Sequence, residues 1–398
     1  MNRRRFLQFL SLLPFYSPLL SAFSKNISTN KIVVVGSGII GTCIAYELSK
    51  YGASVILIDK YSPGAGTSGS SFNWINATYP KKPFSYNYLS QLGISAYKEL
   101  SKELSFPLSW TGSLEWFELL KDEKKLIKAV KDLQNYPKHL PHHIISSEDA
   151  TMHEPNILFQ NRVVYSETDG FVDTDKLIAL LISRIKSLGN QVLYPCKYQN
   201  INYRNNKLES ISTSTGKIYC NKVIFASGID TNHLLKFNYL KPPTPGVIVH
   251  TKSTARKIKK IIVGPGIHVY QKPNGVLVLG EQEGAPINHK ERLQDYPKQF
   301  PNRALAKQHS EMMFSKARNF FKNIKDIQYD KSFIGWRPLP IDNIPIIGKI
   351  DHLPNTYLAV MHSGISLGPI VGKLVAKEVL SGVDSMLLSD FRPSRLNK

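Results

Sequence analysis

The stretch KIVVVGSGIIGTCIAYELSKYGASVILIDK, residues 31–60, decides the fold. Ile32 to Val35 form an unbroken run of β-branched residues, as in a parallel strand covered on both faces. Gly36, Gly38 and Gly41 then spell G-x-G-x-x-G, and Ile40, Ile44 and Leu48 recur at the four-residue spacing of a helix packed on a sheet. A second strand, Val55 to Ile58, ends in Asp59. Each part has a mechanical duty. Gly36 makes the tight turn, Gly38 lets backbone approach a pyrophosphate, and Gly41 permits close contact of helix and strand. The helix N-terminus, from Ile39 and Ile40 onward, turns partial positive charge toward phosphate. Asp59, 23 residues past Gly36, is where a carboxylate accepts hydrogen bonds from an adenosine ribose, with Lys60 beside it. The pattern predicts a dinucleotide site; the competing reading is a glycine-rich turn in an unliganded α/β fold.

Upstream, NRRRFLQF and LSLLPFYSPLL have the basic start and apolar core of a secretory signal, with cleavage expected after Ser24. Arg3-Arg4, then Phe6 and Leu7, resembles a twin-arginine signal, although Asn2 and Gln8 depart from that pattern. Two alternatives stay open: ordinary unfolded export, and an uncleaved anchor giving a membrane-attached form. The expected location is periplasmic or exported. Net charge is +21, of which Arg3, Arg4 and Arg5 carry three and leave +18 on the body. Its lysines are scattered and no nucleic-acid module appears, so the charge reads as a solvated surface. Cys43, Cys196 and Cys220 are too few and irregular for a disulfide framework or a metal site.

Beyond the fingerprint lies PGAGTSGSSFNWIN, residues 63–76, rich in small and hydroxyl side chains that let backbone N–H groups and hydroxyls reach a ligand. A flexible linker shares that composition. Then come DGFVDTDKL (169–177), KVIFASGID (222–230), GWRPLPIDNIPIIG (335–348) and LAVMHSGISLGPIVGKLVAKEVL (358–380). In this order and spacing the chain resembles the D-amino acid oxidase-like superfamily of FAD-dependent oxidoreductases. Glycine oxidase, sarcosine oxidase and D-amino acid dehydrogenase are among its members. The resemblance covers nearly all of 31–385. It implies non-covalent FAD rather than NAD, with Thr67, Ser68, Ser70 and Gly228 as further cofactor contacts. It also puts the turn after Tyr357–Met361 beside the flavin ring. There the helix start at Gly364, Ile365, Ser366, Leu367 and Gly368 would aim backbone donors at the flavin N1–O2 edge. Covalent attachment is not expected, since no cysteine follows Cys220.

The implied chemistry is hydride transfer from a carbon bearing an amine to flavin N5. Arg337 occupies the Gly-x-Arg-Pro position that in several members binds the substrate carboxylate, which suits a two-pronged donor. The other reading pairs it structurally with Asp342. His362 is a candidate contact to flavin or substrate, or a packed histidine. Tyr270 either projects toward the flavin face or belongs to a core. Trp74 is a candidate to pack on the ring system.

The fold class expected is α/β, α+β overall: a Rossmann-like FAD domain from 31–80, 150–242 and 332–390, and a substrate domain from 81–149 and 243–331. GVIVHT and GVLVLG in the second insertion read as strands of a mostly antiparallel sheet. The expected function is oxidation of a C–N bond in a small amino acid or amine. A respiratory quinone is somewhat favoured over O2 as acceptor. The rival is an FAD-retaining binding or assembly protein without turnover. If the address is twin-arginine, replacing Arg3 and Arg4 by Lys strands the protein in the cytoplasm with its flavin bound. Fractionation checks this, and continued export refutes it.

Overall fold

The computed structural model describes residues 31–77, 81–135, 139–242, 244–281, 303–324 and 327–397. The expected export address lies outside them.

Lys31–Val35 sits inside a six-stranded sheet. Its order is Ile346–Lys349, Thr356–Val360, Lys222–Phe225, Lys31–Val35, Ser54–Ile58, Gln191–Leu193. All neighbours run parallel except the edge strand Ile346–Lys349. The central strands are apolar on both faces because both are covered. On one face Ile32, Val34, Val55 and Leu57 meet the helices Ile39–Lys50, Phe84–Leu104, Thr174–Ser187 and Gly364–Ser381. On the other, Val33, Ile56 and Phe225 meet a three-stranded meander, Tyr198–Arg204, Lys207–Thr213 and Gly216–Tyr219.

The second sheet has eight strands, in the order Tyr329–Arg337, Thr244–Ser253, Val276–Glu281, Ile267–Gln271, Ile261–Gly264, Ser113–Glu115, Val163–Ser166, His142–Ile145. It is antiparallel except where Ile261–Gly264 runs alongside Ser113–Glu115. The expected strands in 246–251 and 275–280 are present within it. Its outer face packs on the helix Arg303–Arg318 through Met313, Phe314 and Ala317. Its inner face presents Ile248, Ile261, Val263, Tyr270 and Val278, closed by Phe72, Trp74 and Phe171. The sequence boundaries at 81 and 150 do not coincide with these layers. Helix Phe84–Leu104 buries Leu89, Ile94 and Tyr97 in the core of the six-stranded sheet, and Val163–Ser166 joins the second sheet.

No helix among the described residues is long and apolar enough to cross a membrane. Cys43, Cys196 and Cys220 are buried free thiols.

Helix Gly364–Ser381 holds Pro369 in its second turn. Proline has no N–H to give the carbonyl four residues back, so the Ile365 carbonyl needs another donor. The Tyr97 hydroxyl supplies it, 2.6 Å away, from the neighbouring helix. Tyr97→Phe should therefore cost about 1–3 kcal/mol through an unsatisfied buried carbonyl. Denaturant unfolding of the two proteins measures the difference, and an unchanged midpoint would contradict this account.

Candidate functional site

A cleft of about 480 Å³ runs along the ends of the parallel strands, where ligands collect in open α/β sheets. Gly36 turns the chain at φ +105°, and a Cβ there would lie 2.5 Å from the Ala226 carbonyl oxygen. A Cβ on Gly41 would lie 1.8 Å from the Gly36 oxygen, so helix and turn are in backbone contact. Gly38, Ile39 and Ile40 open this helix onto the cleft. The Ser68 hydroxyl reaches its N-terminus and accepts from Ile39 N at 3.0 Å.

Asp59 is held in place before any ligand arrives. Its Oδ2 accepts from Ser37 N at 2.6 Å and Ser37 Oγ at 2.8 Å, and its Oδ1 from Tyr61 N at 2.9 Å. Lys60 pairs with Asp230 at 2.7 Å, linking the ends of two strands beside the cleft. Cys196, Lys197 and Tyr198 also line this end. Sequence reading missed them, and the signal was faint. Gln191–Leu193 is short, and only its pairing with Ser54–Ile58 brings the following residues alongside Asp59. From the 222–230 segment Gly228 lines the cleft as expected, with Ser227, Ile229 and Asp230 around it.

Thr67 and Ser68 line the middle of the cleft. Ser70 is buried outside it, while Ser71 takes the lining position. At the far end stand Met361, His362, Gly364 and Ile365. Ser366 does not line the cleft; its hydroxyl accepts from Asn76 N at 3.0 Å and donates to the Trp74 carbonyl at 3.3 Å. Leu367 is fully buried, and Gly368 packs on Ile39. His362 exposes its ring into the cleft while lying deep within the protein. That burial, with the charges of Arg337 and Lys81, pushes its pKa down to about 4. The imidazole is therefore neutral near pH 7.

Tyr270 lies in a core. Its ring is 4.3 Å from Phe171 and 5.0 Å from Phe72 between centroids, and it is 1% exposed. Two positions along the same face, His268 turns toward Trp74 at 5.5 Å. Its Nδ1 is buried without a partner among the described residues, and burial and the Arg337 charge push its pKa down to about 4.

Arg337 is not paired with Asp342. That carboxylate belongs to Arg395, at 2.8 and 3.2 Å. Among the described residues the Arg337 guanidinium donates to the Glu281 carbonyl at 3.3 Å and lies across Gly246, whose missing side chain leaves it room. Arg337 lines a smaller cleft of about 260 Å³ that shares Ile229, His233 and Pro338 with the main one. Lys81, which sequence reading passed over, is the other cation of this region.

The main cleft has the parts an FAD needs: a fixed acid at one end, a glycine turn and helix start in the middle, and a second helix start at the other. The backbone contacts at Gly36 and Gly41 make a cradle that side chains would fill. A family model for the FAD-dependent oxidoreductases called DAO matches residues 31–378. The chain is 24% identical over 407 residues to the bifunctional protein ThiO/ThiG of Trichormus variabilis, covering 93% of this chain and 56% of that protein. It thus spans little more than half of that relative's length. It is 22% identical over 377 residues to the glycine oxidase of Pseudomonas aeruginosa, covering 90% of this chain and 97% of that one. The crystal structure of glycine oxidase from Geobacillus kaustophilus superposes with a TM-score of 0.81 at 18% identity, over 92% of this chain and 98% of that one. By fold, cleft and family match, the chain belongs to the DAO family of FAD-dependent oxidoreductases.

Proposed function

We propose that the protein oxidises the carbon–nitrogen bond of a small amino acid or amine. The observation that carries this reading is Arg337. Asp342 is engaged by Arg395, so a planar two-pronged donor remains with no carboxylate within ion-pair distance among the described residues, the Glu281 charge acting on it from farther off. A substrate carboxylate is the natural complement of that fork. The family's FAD, when bound, supplies the acceptor for the hydride that leaves the substrate carbon, and water hydrolyses the imine produced.

The chain's own residues have the remaining tasks. Arg337 orients the substrate by its carboxylate. His362, neutral at working pH, offers a hydrogen bond without adding a third cation. The helix start at Gly364 directs partial positive charge into the far end of the cleft, where negative charge is stabilised. Ile248, Tyr270 and Val278 give the second sheet an apolar inner face, on which Phe72, Trp74 and Phe171 pack. The basic, apolar N-terminal sequence supports export, by the twin-arginine route, and a membrane-side location favours a quinone over O2 as acceptor.

Anaerobic mixing of the FAD-loaded protein with D-amino acids, glycine and N-methyl amines should bleach the flavin absorbance for at least one class. If none bleaches it, the reading is wrong. Arg337→Met should raise KM for a carboxylate-bearing substrate about 10-fold to 100-fold, the range for hydrogen bonds between charged groups. Equal effects on an amine without a carboxylate would remove Arg337 from this role. Peroxide released in air at the rate of imine formation would replace the quinone by O2.

A further inference from the structure

We propose that the lysine face of the helix Leu120–Gln134, with the leucines at its head, docks the protein on an anionic phospholipid surface. The inference goes beyond the amine-oxidising reading and does not depend on it.

Lysines that the sequence scatters along the chain are gathered on this helix. Lys121, Lys124, Lys125, Lys128 and Lys131 are all exposed. At 3.6 residues per turn they fall within an arc of about 120°. The opposite side buries Leu126, Val130 and Leu133, the first two in a cluster with Val164 and Phe117. Acids cancel little of this face. Glu123 is on the buried side and holds Arg162 at 2.7 Å, and Asp122 holds Lys125 at 2.9 Å. Asp132 is exposed within the stripe, yet among the described residues Lys121, Lys124, Lys128 and Lys131 make no ion pair.

Lysines alone would read as a solvated face. The leucines at the head of the helix are what that reading leaves unexplained. Leu119, the N-cap, is 57% exposed and Leu120, beside it, 60%. A third exposed leucine, Leu158, stands on a loop tied to the same turn, where Asn161 Nδ2 donates to the Phe117 and Glu118 carbonyls at 2.8 and 3.0 Å. On its other side this loop meets the segment after helix Arg303–Arg318. Leu158 N donates to the Phe320 carbonyl at 2.7 Å, and Lys322 N to the Asn156 carbonyl at 2.9 Å. Arg318 and Lys322 are exposed there. One end of the eight-stranded sheet thus carries apolar side chains beside unpaired cations.

A phospholipid surface answers both kinds of group, with phosphate charge for the lysines and an acyl boundary for the leucines. A nucleic acid would leave the leucines in water, and the helix has no aromatic residue on which a base could stack. None of these residues lines either cleft, so they can be altered without touching the cofactor site.

The test uses the full chain loaded with FAD, mixed with vesicles of phosphatidylcholine alone or with an equal part of phosphatidylglycerol. Sedimentation should show binding to the anionic vesicles. Replacing Lys121, Lys124 and Lys128 together by Glu should weaken it about tenfold or more, and raised salt should weaken it too. A Leu120→Trp reporter separates this face from the apolar N-terminal sequence, which would also hold a vesicle. Its emission should move to shorter wavelength on anionic vesicles and be quenched by brominated lipid, over the background of the four native tryptophans. Unchanged binding by the triple Lys→Glu protein, or a reporter that brominated lipid does not quench, would overturn the proposal. So would equal affinity for uncharged vesicles, or a reporter shielded without vesicles as protein concentration rises, the mark of a second copy on this face. No vesicle binding at all refutes the lipid and leaves the face to an acidic protein. Flavin absorbance and melting temperature equal to those of the wild type show that each variant is folded.

Discussion

No side chain fits between the turn at Gly36 and the helix at Gly41, nor between the helices Ile39–Lys50 and Gly364–Ser381, where a Cβ on Gly372 would lie 2.8 Å from the Cys43 carbonyl oxygen. The cleft depends on these backbone contacts. Gly368 and Gly372, one turn apart, bring the C-terminal helix against the first. Two helix starts, far apart in the chain, therefore open on one cleft. A methyl group at either contact would push the helices apart and separate the ends of the cofactor site.

The far end of the cleft, around His362, is electrostatically lopsided. Arg337 and Lys81 are positive, the helix start adds partial positive charge, and burial holds His362 and His268 neutral, helped by both cations at His362 and by Arg337 at His268. Such an arrangement rewards negative charge arriving from outside. Asp342 is engaged by Arg395, while Glu281 and Asp169 partly offset the charges of Arg337 and Lys81 from beyond ion-pair distance.

The glycine turn, its flanking strands and Asp59 were legible because one local segment contains all of them, and each residue type has one mechanical reason to be there. Ser70, Ser366 and Gly368 were harder. Segment composition marks a neighbourhood, whereas the facing of each residue within it is fixed by what packs opposite, as Ile39 does for Gly368. Tyr270 shows the same limit: strand register alone turns it to the inner face, and Phe171 and Phe72 decide that it is enclosed there. Whether Arg337 has a carboxylate partner depended on Arg395, 53 residues beyond Asp342. Lys81 gave no sign at all, since a lysine beside a helix start reads as surface until its bonds to Asn76 and Ser90 are seen.

The order of the parallel sheet has a consequence for synthesis. Lys31–Val35 is made first, yet its neighbour Lys222–Phe225 and the outer strand Thr356–Val360 emerge far later. Pairings of such long sequence separation give a high contact order and slow assembly. The far wall of the cleft, from Met361 to Ile365, leaves the ribosome after every other segment that lines it. Capture of the cofactor thus follows synthesis of that wall, and until then the apolar first strands need shielding from other nascent chains.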